Sequence, residues 1–287
     1  MICNLCPKKC GAVRDEVRGE GACGLTALPR LARVAPHMWE EPCISGEKGS
    51  GAVFFSGCTM RCVFCQNYEI SAENLGRTVS VEQLAEEFRR LEDMGVHNIN
   101  LVSPTPYVPA IIRAFALYRP RVPVVYNCSG YERVETLRAL EGIVDVWLPD
   151  FKYSDNALGE KYSGVKNYKE TALNAISEMV RQSGKPVFDD DGMIQRGVIV
   201  RHLVLPNHTR NSLGAIDLLN AFSEDILVSL MGQYIPMGVA SRYPELNRKI
   251  TAREYEKVKN HLFSLDLDGF VQELSSADKK YVPKWVY

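Results

Sequence analysis

From about residue 50 onward, short apolar runs alternate with longer segments in which apolar residues recur every three or four positions. The runs are GAVFFSG (51–57), NINLVS (98–103), VPVVYNC (122–128), VDVWLPDF (144–151), GVIVRHLVLP (197–206) and DILVSLMGQY (225–234). Each is short, β-branched or aromatic, and nearly continuous in apolar character, which is the pattern of a strand covered on both faces. The intervening segments read as amphipathic helices. In SVEQLAEEFRRLEDMG, Ser80 is placed to cap, Gln83 to reach back to it, Leu84, Phe88 and Leu91 share one face, and Gly95 ends the helix. The segments YVPAIIRAFALY, YERVETLRALEG, NYKETALNAISEMVRQSG and NSLGAIDLLNAFS follow the same period.

Repeated strand–helix alternation predicts a parallel sheet with right-handed crossovers. Six such units close only part of a barrel. The expected fold class is therefore α/β: a partial (β/α)6 barrel of TIM type over residues 49–240, preceded by a small cysteine-rich extension over 1–48. Residues 241–287 are expected to pack on the barrel as a helix, the short strand GFVQEL and an aromatic tail. KPVFDDDGMIQ reads as a surface loop rather than a hard-cation site.

Composition narrows the picture by exclusion. A net charge of -1 over 287 residues carries no basic excess for nucleic acid or an anionic membrane. The first residues lack a secretory apolar stretch, and no run reaches the roughly 18 to 20 apolar residues of a membrane span. A cytoplasmic chain with neither nucleic-acid nor membrane partners is expected. In that compartment nine cysteines mean thiols, so clustered ones point to metal before disulfides. Four lie at Cys3, Cys6, Cys10 and Cys23 and three at Cys58, Cys62 and Cys65, while Cys43 and Cys128 read as small buried side chains.

The second group sits in SGCTMRCVFCQN, directly after the first apolar run. A closed structural zinc site uses four protein ligands, and neither His37 nor His97 has ligand spacing to this stretch. Three thiolates on a cubane [4Fe-4S] cluster leave one iron without a protein ligand, open to a cofactor. These residues resemble the radical S-adenosylmethionine (SAM) enzymes, whose signature is CxxxCxΦC with an aromatic before the last cysteine, here Phe64. The resemblance implies a radical SAM barrel in which Cys58, Cys62 and Cys65 are the catalytic cluster ligands. It also implies that the open iron chelates SAM and that one electron cleaves SAM to a 5'-deoxyadenosyl radical, which abstracts hydrogen from a substrate.

A barrel gathers its site at the C-terminal ends of its strands. There, Ser103 and Thr105 stand where a Gly-Gly-Glu stretch meets the SAM amino group in many radical SAM enzymes. Asn127 and Ser129 end the third run, and Gln233 closes the ring as a ribose or adenine contact. Arg201, amid apolar neighbours, suits the SAM carboxylate, while His202 faces the other way as a core histidine. Asp150 and Lys152 resemble the D-x-K of glycyl-radical-enzyme activases, which implies that they lie against SAM together with Phe64.

CNLCPKKC, EEPCISG (40–46), PTPY and GFVQEL extend the resemblance to a branch of homologues within the pyruvate formate-lyase activating enzyme group. It implies a glycyl radical enzyme, or another protein or peptide, as substrate and flavodoxin or ferredoxin as electron donor. A small-molecule substrate and a non-catalytic metal-binding or electron-transfer protein are the alternatives. Cys3, Cys6, Cys10 and Cys23 have the number for a second site, zinc or an auxiliary iron-sulfur cluster, and spacing does not choose between these and metal-free thiols.

Overall fold

The computed structural model describes residues 2–278 together with Pro283 and Trp285. One sheet contains β1 (Arg30–His37), β2 (Ser50–Phe55), β3 (Arg77–Thr78), β4 (Ile99–Val102), β5 (Val124–Cys128), β6 (Val146–Pro149), β7 (Val187–Phe188), β8 (Ile194–Leu203), β9 (Leu227–Met231) and β10 (Gly269–Val271). Its order is β10-β9-β8-β6-β5-β4-β2-β1-β3, with β7 paired to β8 off that path. All pairings among β2, β4, β5, β6, β8, β9 and β10 are parallel. The six apolar runs are thus all strands, and GFVQEL supplies a further parallel one. This is an α/β fold with a mostly parallel sheet, consistent with a partial barrel. Among the described residues β10 pairs only with β9, and β3 only with β1, so the sheet stays open on that side.

Side chains alternate between two cores, as the period of a strand requires. Val53, Phe55, Leu101, Tyr126 and Trp147 face the helices. The helix Val81–Asp93 packs there, started by a complete capping box between Ser80 and Gln83. Its Phe88 is fully buried and stacks on Phe115 with ring centroids 4.6 Å apart. Truncating that ring to alanine would cost about 3–5 kcal/mol. Val125, Val146, Leu148 and Ile199 face inward, where Cys43 and Ile44 meet them. The short helix Pro42–Ser45 therefore plugs the barrel from below, pinned by Asn98 Nδ2 donating to Ile44 O at 2.7 Å.

Residues 30–48 differ from expectation. They belong to the sheet and its floor, because β1 runs antiparallel along β2 from Leu31↔Phe55 to His37↔Ser50. RLARVAPH is too polar to announce a strand, yet Leu31 and Ala32 are buried by this pairing. Among the described residues the segment before β1 is irregular, with isolated bridges Ile2↔Val13 and Arg14↔Gly19. KPVFDDDGMIQ, expected as a loop, is a short antiparallel hairpin: Val187 and Phe188 form β7, Ile194 and Gln195 begin β8, and DDDGM turns between them. The expected aromatic tail lies mostly outside the described residues, but Trp285 packs edge-on against Phe54. Among the described residues no helix is long and apolar enough to cross a membrane.

Candidate active site

The parallel strands end around a cavity of about 420 Å³. Cys58, Cys62 and Cys65 reach it on the loop after β2; Ser103 follows β4; Asn127 is the next-to-last residue of β5 and Ser129 follows the strand. Asp150 and Lys152 follow β6, Arg201 lies near the end of β8, and Gln233 follows β9. Two glycines make the close approaches possible. Gly57 (φ +87°) precedes the cysteine loop, and a Cβ there would stand 2.3 Å from Leu25 Cδ1. Gly130 (φ +74°) lets β5's end pass Asp150, whose carbonyl oxygen would lie 2.1 Å from an added Cβ.

Each sulfur of the loop already accepts a hydrogen bond. Ser163 Oγ donates to Cys62 Sγ at 3.0 Å, Ser71 Oγ to Cys65 Sγ at 3.4 Å, and the Met60 N–H to Cys58 Sγ at 3.4 Å. Burial pushes the Cys62 thiol up to about 12, against the opposing charge of Lys152, and burial raises Cys65 as well. Soft, buried thiols with donors aimed at sulfur fit a thiolate-ligated cluster, whose positive irons replace the protons.

The charged groups form one network. Arg201 donates Nε to Asp150 Oδ1 (3.1 Å), Nη1 to Glu40 Oε2 (3.1 Å) and Nη2 to Asn127 Oδ1 (2.5 Å). Lys152 Nζ donates to Asp150 Oδ2 at 2.5 Å. Burial alone would raise Asp150, but Lys152 and Arg201 outweigh it and hold the carboxyl below its usual range. Burial likewise opposes the Lys152 and Arg201 cations, and their carboxylate partners more than offset it. Removing one member of such a buried set strands the others' charge, at about 3–5 kcal/mol.

Glu40 and Glu41, on the floor plug, are the members that sequence reasoning missed. Glu40 also accepts from Asn100 Nδ2 at 3.1 Å and Asn127 Nδ2 at 3.3 Å. Glu41 is buried, its Oε2 has no protein partner, and burial raises its pKa. The available signal was two adjacent carboxylates, EEPCISG, just ahead of apolar Cys43 and Ile44. His37 also lines the cavity, and burial followed by Arg33 and Arg201 lowers its pKa to about 4, so the ring is neutral.

Of the other expected site residues, Phe64 and Thr105 stand off the cavity wall. Phe64 is buried against Tyr234, with ring centroids 6.0 Å apart. Thr105 donates to Glu132 Oε1 at 2.9 Å behind the wall, where burial raises that carboxyl to about 8. Arg201, expected to meet a ligand carboxylate, has its guanidinium engaged by Glu40 and Asp150. His202 is fully buried with Nδ1 2.6 Å from Phe151 O, and burial lowers its pKa to about 4.

Cys3, Cys6, Cys10 and Cys23 also lie outside the cavity lining. Among the described residues no group of three or more His, Cys, Asp or Glu stands close enough together to hold a single metal ion, and this applies to both groups of cysteines alike. A single zinc draws its sulfurs to about 2.3 Å from one point, whereas a cubane spreads its ligands over several irons.

The family model described as the Radical SAM superfamily matches residues 52–219. An uncharacterized protein of Methanocaldococcus jannaschii is 31% identical over 276 residues, covering 93% of this chain and 75% of that protein. Among solved structures, a radical SAM methyltransferase from Sphaerobacter thermophilus matches with a TM-score of 0.54 at 16% identity, over 77% of this chain and 65% of that one. Streptococcus suis SuiB bound to precursor peptide SuiA matches with a TM-score of 0.52 at 14% identity, over 77% of this chain and 48% of that one. The chain spans less than two thirds of either structure, and at these identities the likeness is one of fold.

Proposed function

The chain belongs to the radical SAM superfamily, and from that premise we propose that this radical SAM enzyme abstracts hydrogen from a glycine of a partner protein, as an activase of a glycyl radical enzyme. The observation that carries the proposal is the unclosed sheet. Among the described residues β10 and β1 do not pair, which leaves a gap in the sheet beside the cavity; Ser276 and Pro283 line the cavity as well, so an extended loop would enter at that gap past the C-terminal segment.

When bound, the [4Fe-4S] cluster and SAM supply the one-electron cleavage that yields a 5'-deoxyadenosyl radical. Cys58, Cys62 and Cys65 would hold the cluster. Asp150 is kept ionised beside Lys152 and so offers a carboxylate to hydroxyl or ammonium donors of SAM. Lys152 places a cation beside the cysteine thiols, where negative charge accumulates. Ser103 and Gln233 add neutral hydrogen-bonding groups, and Arg201, braced by Glu40, fixes the position of Asp150. Phe54, Val102, Leu203 and Met231 supply apolar wall that excludes water from a reactive radical. Flavodoxin or ferredoxin would deliver the electron.

One observation favours a second reading. The partnerless Oε2 of Glu41 at the cavity floor suits a small molecule that brings its own hydrogen-bond donor. Anaerobically reconstituted protein given dithionite, SAM and a candidate glycyl radical enzyme separates the cases. The activase reading expects 5'-deoxyadenosine together with a glycyl radical signal on the partner. Cleavage without that signal supports a small-molecule or peptide substrate, and no cleavage at an intact, reducible cluster leaves a non-catalytic metal-binding protein.

A further inference from the structure

Two buried hydroxyls outside the cavity lining converge on Cys62. Ser163 Oγ donates to Cys62 Sγ at 3.0 Å, and Tyr153 OH lies 2.8 Å from Ser163 Oγ. A serine carries a single hydroxyl hydrogen. With that hydrogen on sulfur, Tyr153 must be the donor to Ser163, so the chain runs Tyr153 O–H, Ser163 O–H, Cys62 S. Tyr153 is 0% and Ser163 3% exposed, so water does not compete for either bond. Burial also raises the phenol's pKa far above its usual value, which keeps it a donor.

Local structure holds the pair in place. Ser163 is the last residue of the helix Asn156–Ser163, which Gly164 ends in the left-handed conformation at φ 59°. The carbonyl of Tyr162 accepts from the Val63 N–H at 2.9 Å, so the helix end grips the loop one residue past Cys62. Tyr153 follows Lys152 directly and packs edge-on against Tyr168, with ring centroids 5.2 Å apart. The donors to Cys58 and Cys65 are longer, at 3.4 Å.

Reduction adds one negative charge to an iron-sulfur cluster, and a donor aimed at a ligand sulfur stabilises that charge more in the reduced state. In a dry interior a second hydroxyl polarises the first and strengthens it. We propose that Tyr153 and Ser163 form a relay that raises the reduction potential of the cluster held by Cys62. They are positioning residues, since neither lines the cavity where SAM and substrate would lie. The inference rests on the radical SAM reading of the three cysteines and on no particular substrate.

An EPR-monitored redox titration of the anaerobically reconstituted full chain tests it, with dithionite as the one-electron reductant and iron, sulfide and thermal unfolding as loading and folding controls. Ser163→Ala should move the midpoint to a more negative potential. Tyr153→Phe should move it the same way by less, and Ser163→Thr, which keeps the hydroxyl, should return it towards the parent value. A fully loaded Ser163→Ala protein with an unmoved midpoint overturns the relay. If Ser163→Ala fails to load, Tyr153→Phe decides, and a parent-like midpoint there overturns it equally. A parent protein that loads no iron and sulfide overturns the cluster reading beneath it, a result distinct from a loaded protein with an unmoved midpoint.

Discussion

The segments that carry the two groups of cysteines touch one another, yet the fold treats them differently. Arg61, inside the cluster loop, donates Nη2 to Cys23 O at 2.7 Å, and Asn74 Nδ2 donates to the same oxygen at 3.0 Å. Around Cys58, Cys62 and Cys65 the strand ends collect a lysine, an aspartate, an arginine and a cavity. Around Cys3, Cys6, Cys10 and Cys23 there is irregular backbone organised by one buried side chain. Arg14, 2% exposed, donates to Leu25 O at 2.8 Å, to Thr26 O and to Cys3 Sγ at 3.4 Å. The thiols themselves diverge, since burial raises Cys6 to about 11 while the backbone N–H groups of Ala22 and Ala12 lower Cys10. The same residue type thus carries different chemistry according to what converges on its sulfur.

The contrast breaks most sharply at Cys62. Cys62→Ala should reduce 5'-deoxyadenosine formation to the protein-free background in an anaerobic assay with dithionite and SAM. Arg14→Ala should leave cluster loading intact but cost about 3 kcal/mol, since it strands buried acceptors, and a lower urea midpoint would report this. Cys6→Ala should lower 5'-deoxyadenosine formation by less than about tenfold, under about 1.4 kcal/mol of barrier. Complete loss there, with the main cluster intact, would make the N-terminal group an electron-transfer centre and erase the distinction. Thr136→Val removes only the bond from Thr136 Oγ1 to Leu5 O at 2.8 Å. It should cost about 1 kcal/mol by chemical denaturation and leave SAM cleavage unchanged.

Local patterns exposed much of this architecture. The capping box at Ser80 and Gln83 was readable because both partners lie within one helical turn, and the parallel strands because burial on both faces makes them continuously apolar. Asp150, Lys152 and Arg201 stood out as charges amid such runs, and they do meet on the cavity wall. Glu40 did not stand out, because its contact with Arg201 depends on β1 running back along β2 and carrying the plug beneath the barrel, a pairing that no local period encodes. Ser163 was equally hidden. Its helix, NALGEKYS, is short and weakly amphipathic, and what matters is where its last turn lands. Thr105 lies in the same turn as Ser103, but the turn buries it towards Glu132 while Ser103, at φ 58°, faces the cavity.

The central claim is that Cys58, Cys62 and Cys65 hold a cluster whose remaining coordination site is open to SAM. The most direct measurement is the EPR spectrum of the anaerobically reconstituted, dithionite-reduced protein with and without SAM, paired with assay of 5'-deoxyadenosine. The account predicts a cluster spectrum that changes on adding SAM and 5'-deoxyadenosine that accumulates. A reduced cluster whose spectrum SAM leaves unchanged, with no 5'-deoxyadenosine formed, would contradict it.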